Sequence, residues 1–262
     1  MPPPLEDDER EHDERVRGEF TRQAEPFARV IGAADEILER VADAVDARAG
    51  DQVLDVCCGP GLVAARLARD AGSVVGVDLT PAMLDLARRR VEDAGLSNAS
   101  FEAARAEALP FDDATFDVVV SRLAIHHLLD PDPALQEMAR VLRPGARLVV
   151  ADVCTSEDPD EAALHNALEV LRDPSHTRML PESELLARVR ALGRGGEVCA
   201  RFRQSRRFAD WIAITGDAGR GRALHPVLSR LARLGETAGI GLRLEADEPC
   251  FDHSWVIVKA EA

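Results

Sequence analysis

VLDVCCGPG occupies residues 53–61, and VVGVDLT follows at 74–80. An apolar run ends in Asp55, a turn carrying Gly59, Pro60 and Gly61 opens a helix, and a second apolar run ends in Asp78. The pattern is a strand, a tight turn, a helix and a second strand with an acid at its tip. A nucleoside-bearing cofactor suits it, with backbone close at the turn and a carboxylate for ribose hydroxyls at the second strand. Gly59 and Gly61 let the chain bend sharply and approach a ligand without an intervening Cβ. Taken alone the glycines decide little. Residues 59–64 also satisfy a loose GxGxxA, with Asp78 at about the spacing of a nicotinamide-dinucleotide fold.

Outward from these two strands the alternation continues. Strands are expected at 52–57, 73–78, 98–103, 116–121 and 146–153, with helices at 61–70, from Pro81 onward, and at 133–142, where Pro144 and Gly145 stop the last. Thr80 as N-cap with Pro81 at the first helical position is an apt start. FDVVVS at 116–121 has a continuous apolar centre, as a strand covered on both faces requires. Strands alternating with helices imply parallel pairing and right-handed crossovers. The expected fold class is therefore α/β: a Rossmann-like, seven-stranded, mostly parallel sheet with helices on both faces and a helical cap.

Residues 1–15 read as a flexible acidic arm, and residues 16–262 as a single domain. Within it, 16–48 supply N-terminal helices, with a break or kink near Pro26. Residues 50–153 form the cofactor-binding core, and 155–195 and 205–248 form cap or inserted helices. Strands are expected near 196–204 and at 251–259.

Composition narrows the chemistry. A formal net charge of −15 and the absence of Tyr argue against a nucleic-acid partner. Lys259 is the only lysine, so Schiff-base catalysis has almost no candidate. Five cysteines without zinc-ligand spacing suggest neither a metal site nor a disulfide framework, and a reducing, cytoplasmic setting is expected. No apolar run of about 18 residues is present, so no membrane span is expected, and the start of the chain lacks the pattern of a signal segment.

Four segments together are more specific than the glycine turn. VLDVCCGPG, VVGVDLTPAMLDLARRR, AEALPFDDATFDVVVSRLAIHHL and EMARVLRPGARLVVADV follow one another in order. They resemble the class I S-adenosylmethionine-dependent methyltransferases, above all the small-molecule branch typified by the ubiquinone and menaquinone C-methyltransferases (the methyltransferase type 11 domain). The resemblance covers roughly residues 20–200. HNALEVLRDPSHTRMLPESEL, residues 165–185, also resembles the cap segment of one bacterial subgroup.

The resemblance implies S-adenosyl-L-methionine as cofactor and a small organic acceptor methylated at carbon, oxygen or nitrogen. It assigns Asp55, Cys57, Gly59 and Gly61 to the turn that cradles the methionine half, and Asp78 to the ribose hydroxyls. Leu79 and Met83 fall where the adenine packs, Ala106 and Glu107 at its edge, and Ser121 and Arg122 at the aminoacyl group. Arg105 departs from the family, which often has an acid there to accept from the adenine amino group. An arginine has no acceptor atom.

For catalysis the candidates are His126 and His127, placed after the fourth strand. A base is needed only where the nucleophile arrives protonated. Gln23, Phe27, His165, Arg172, His176 and Arg178 are the acceptor-site candidates, with the N-terminal helix as a lid. His253 and Trp255 read as packing. The implied partners are the acceptor and, in assembly, a second copy forming a homodimer. Competing readings are a cofactor-binding enzyme that cyclises or decarboxylates without methylating, a nicotinamide-dependent oxidoreductase, and a non-catalytic cofactor sensor.

Overall fold

The computed structural model describes residues 6–261 except 31–35, and the side chains of 27–30 also lie outside the description. Five strands open the sheet: β1 (Gln52–Val56), β2 (Ser73–Asp78), β3 (Ala99–Ala103), β4 (Phe116–Arg122) and β5 (Leu142–Cys154), of which β1, β4 and β5 bury apolar side chains on both faces and β3 is the half-exposed edge. These pair in parallel, and β6 (Glu197–Arg207), β7 (Arg243–Glu245) and β8 (Glu248–Glu261) join antiparallel. The order is β3-β2-β1-β4-β5-β8-β6, with β7 on β8, so the described residues form eight strands rather than seven. The eighth is the three-residue β7, too short to leave a periodic signal.

Alternation along β1 shows how the faces are filled. Val53 joins a core with Val41 and Val45 of α2 (Glu36–Val45) and Leu67 of α3 (Leu62–Leu67). Its neighbour Leu54 points the other way, into a core with Leu135 and Met138 of α5 (Pro131–Arg140) and Leu185 of α7 (Glu182–Ala191). Each such side chain contributes roughly 1.5–3 kcal/mol by leaving water. A third cluster sits in the cap. There Leu168 of α6 (Pro159–Arg172) meets Trp211 of α8 (Phe208–Ala213), Leu228 of α9 (Ala218–Arg233) and Phe251.

Three expectations are corrected. The acidic arm is ordered helix from Asp7, because α1 runs Asp7–Val30 and buries His12 and Asp13. Pro26 lies inside α1 rather than breaking it. Helix α5 ends at Arg140, so Pro144 and Gly145 do not stop it. They lie within β5, where the register against β4 shifts and Gly145 adopts φ 74°. Helix α4 (Pro81–Asp93) does start at Pro81, though the Thr80 side chain makes no capping bond. Among the described residues, no helix is long and apolar enough to cross a membrane.

Candidate active site

In an open parallel sheet, ligands bind beyond the carboxyl ends of the strands where the order reverses. Here β1 lies between β2 and β4, and a cleft of ≈ 1040 Å³, partly open to solvent, lies against their tips. Asp55, Cys57, Gly59, Asp78, Leu79 and Met83 line it. Ala106, Glu107 and Arg122, also expected at the cofactor, line it too, as does the catalytic candidate His127.

The turn after β1 is tightly bent. Cys57 and Gly59 have φ of 58° and 51°, in the left-handed region. A Cβ built on Gly59 would meet nothing within 4 Å and would stand in the cleft. Gly61 has another task. At φ 74°, its Cβ would lie 2.7 Å from Cβ of Ala87, so its bare backbone lets α3 and α4 approach, and it does not line the cleft. Ser121 is also outside the lining, with its hydroxyl donating to the Val56 carbonyl at 3.0 Å.

Asp78 presents a carboxylate to this space. One oxygen accepts from Gly59 N–H at 2.8 Å and the other from Thr80 N–H at 2.8 Å. Burial pushes its pKa up despite those bonds. An ionised carboxylate has about four acceptor positions, so two remain for hydroxyl donors. A vicinal diol is the group that fits, flanked by the apolar walls of Leu79, Met83 and Ala106.

Asp55 accepts from Ala64 N–H at 3.0 Å, which fixes the start of α3. Burial pushes its pKa up to about 7, with the Ala64 bond opposing and Asp78 adding to the rise. A carboxyl raised in the folded state contributes stability that is present at low pH and lost as pH rises toward 7. The Asp55→Asn variant lacks that loss. Its unfolding free energy relative to wild type, read by urea denaturation, should climb between pH 5 and 7, at about 1.4 kcal/mol per pH unit at most, and level off above. An offset constant with pH would contradict the burial of a titrating acid at this point. Burial and the neighbouring acids also push the Cys57 and Cys58 thiols up, which suits inert side chains rather than redox chemistry.

Arg105 serves as a clasp. Its guanidinium donates to Asp13 at 2.6 Å and lies 3.4 Å from Glu107, so it ties α1 to the rim of the cleft. His12 adds a 2.7 Å bond to the His127 carbonyl, and Gln23 donates to Asp173 at 2.7 Å. His12, Asp13, Val16 and Phe20 thereby become cleft lining that the sequence reading did not assign. A buried polar pair within a run of acids was the only available signal.

A second chamber of ≈ 700 Å³ adjoins the cleft, sharing Phe20, Leu123 and His127 with it. His126, Gln23, Arg172 and His176 open into it. His126 Nδ1–H donates to the Asp152 carboxylate at 2.6 Å, so in the neutral ring Nε2 is the acceptor. His127 Nδ1 lies 3.1 Å from the Ser175 carbonyl. Burial first, then the neighbouring His126, lowers the His127 pKa to about 4. Burial and the other two imidazoles likewise hold His176 well below the ordinary histidine range.

The remaining acceptor-site candidates divide. His165 stands behind the chamber, 3.8 Å from Glu169. Arg178 is solvent-exposed and paired with Glu184, away from the chamber. The Phe27 side chain lies outside the described residues. Conversely, His253 and Trp255 line the chamber with Trp211 and Glu169. Their strand alternation was visible, but the pairing of β8 beside β5, which brings them there, was not.

Comparison with known proteins points to methyltransferases. Residues 53–145 match a family described as "Methyltransferase domain". The chain is 35% identical over 166 residues to the "Uncharacterized methyltransferase YcgJ" of Bacillus subtilis, covering 63% of this chain and 66% of that protein. The crystal structure of YcgJ superposes with a TM-score of 0.79 at 28% identity, covering 86% of this chain and 97% of that one. A ubiquinone/menaquinone biosynthesis C-methyltransferase, UbiE of Serratia proteamaculans, is 35% identical over 155 residues, covering 54% of this chain and 62% of its own. The chain thus spans about two thirds of the length of these curated relatives.

Proposed function

Because the chain belongs to the class I S-adenosylmethionine-dependent methyltransferases, we propose that it methylates a small organic acceptor held in the chamber beside the cleft. The observation that carries this reading is the junction of the two spaces at Phe20, Leu123 and His127. One space has a diol-binding acid and apolar walls, and the other has rings and proton acceptors.

When bound, S-adenosylmethionine supplies a methyl group on a sulfonium, an electrophile that needs no acid to activate it. Asp78 would hold the ribose hydroxyls, the Cys57–Gly59 backbone would border the methionine half, and Leu79, Met83 and Ala106 would enclose the adenine. Helix α1, pinned by Asp13, His12 and Gln23, keeps water from the junction. Much of the rate enhancement then comes from alignment. His126, oriented by Asp152, takes the acceptor's proton through Nε2.

The chamber favours an uncharged aromatic or unsaturated acceptor whose nucleophile carries a proton, such as a phenol, an enol or an activated carbon. Trp211, Trp255 and Phe20 supply ring surfaces. Arg172, which could have clamped an acid, is committed to Glu169 at 2.6 Å. The relationship to a protein named for quinone biosynthesis supports the same class.

The test is formation of S-adenosylhomocysteine with a panel of phenols, enols and carboxylic acids, together with donor affinity of the Asp78→Ala variant. That variant should bind donor roughly 1–3 kcal/mol more weakly, about 5- to 150-fold, since charge-assisted bonds are lost. Unchanged calorimetric affinity would remove Asp78 from the ribose. Turnover confined to carboxylic acids would overturn the acceptor class.

A further inference from the structure

Three imidazoles converge in the acceptor chamber. The rings of His126, His127 and His176 stand 4.4, 4.6 and 4.6 Å apart between centroids. The ring nitrogens they can offer lie within 4.8 Å of one another. Two are held from behind, as metal-binding imidazoles are. Asp152 receives Nδ1–H of His126, and the Ser175 carbonyl that of His127, with the Ser175 hydroxyl donating to Asp173 at 2.6 Å. Both bonds leave Nε2 without its proton. Nδ1 of His176 is buried and has no hydrogen-bond partner.

We infer that His126, His127 and His176 form a three-imidazole site for a borderline divalent transition cation such as Zn²⁺ or Co²⁺, with an open coordination position toward the acceptor chamber. Imidazole nitrogens suit these ions and not Mg²⁺ or Ca²⁺, which require oxygen ligands. Bonds of about 2.0–2.1 Å need the nitrogens to close to roughly 3.3 Å apart in a tetrahedral site, a shift that ring rotation supplies. The carboxylates of Asp152 and Asp173 stand behind the ligands and offset the added charge. Arg172, a cation that lines the same chamber, is already paired with Glu169. The other convergent group, His165, Glu169 and His253, is unsuited: both Glu169 oxygens are committed, one to Trp211 and His253, the other to Arg172. An acceptor oxygen that has already lost its proton would occupy the open position; with the cation bound, His126 Nε2 is a ligand, and the proton removal proposed above belongs to the metal-free chain.

This inference does not depend on methyl transfer, and its test uses neither donor nor acceptor. The chain is stripped with chelator and dialysed against Co²⁺. Wild type should retain one equivalent and show the visible absorption of a four-coordinate Co²⁺–imidazole centre. His176→Ala should abolish that spectrum, and Asp152→Asn should weaken retention roughly 10- to 100-fold. His225→Ala, on the exposed face of α9, should leave both unchanged. Wild type that retains no Co²⁺, or whose Co²⁺ survives His176→Ala with the same spectrum, overturns the site. If His176→Ala fails to fold, the wild-type stoichiometry and spectrum still decide.

Discussion

Glu169→Ala is expected to destabilise the protein by about 3–5 kcal/mol, the cost of breaking a buried ion pair from one side. Glu169 is 1% exposed. Its oxygens accept from Arg172 at 2.6 Å, from Trp211 Nε1 at 3.1 Å and from His253 Nε2 at 3.0 Å. Burial alone would push its pKa up, but Arg172 and the flanking imidazoles hold the carboxyl well below its usual range. Removing it leaves the Arg172 guanidinium, 8% exposed, stacked on the Trp211 ring without its hydrogen-bonded carboxylate. The hub joins α6, α8 and β8, so the cap should loosen as a unit. Replacing both partners, as in Glu169→Met with Arg172→Met, should recover only part of the loss: it removes the unpaired guanidinium, but it still leaves Trp211 Nε1–H and His253 Nε2–H without their acceptor. Urea denaturation reads both. A single-variant loss under 1 kcal/mol would show that the hub does not hold the cap.

The second large effect concerns proton removal. His126→Ala should lower kcat about 100-fold or more in chelator-treated enzyme, with donor affinity unchanged, the range expected of a positioned base. His127→Ala should cost less. Its imidazole, lowered to about 4 by burial and His126, is a weak proton acceptor at neutral pH. His126 has Asp152 at 2.6 Å to stabilise the charge it gains. Steady-state rates with the best acceptor of the panel and calorimetric donor binding separate the two roles. Retention of kcat within threefold in His126→Ala would assign proton removal elsewhere.

The α/β core was legible because local chemistry dictates it. Apolar runs such as VVGVD and FDVVVS have no stable home except a sheet covered on both faces. The acid at the tip of β2 and the glycine at the turn of β1 follow from the same pattern. Long-range pairing was not legible. Nothing local to His253 or Trp255 indicates that β8 inserts between β5 and β6 and brings them to the chamber. Residues 6–15 look like a solvated arm by composition. They are held as helix by partners about 90 and 115 residues away, Arg105 and His127. Gly61 carries the signature of a ligand turn, yet its close approach is to Ala87. Arg105, a puzzle against the family pattern, is explained once Asp13 stands opposite it.

The account rests on a nucleoside seated between the turn after β1 and the acid ending β2. A crystal structure of the chain grown with S-adenosylhomocysteine tests this most directly. The ribose hydroxyls should lie against the Asp78 carboxylate, with the methionine portion passing Gly59. Ligand density elsewhere, or none in this cleft at saturating concentration, would contradict it.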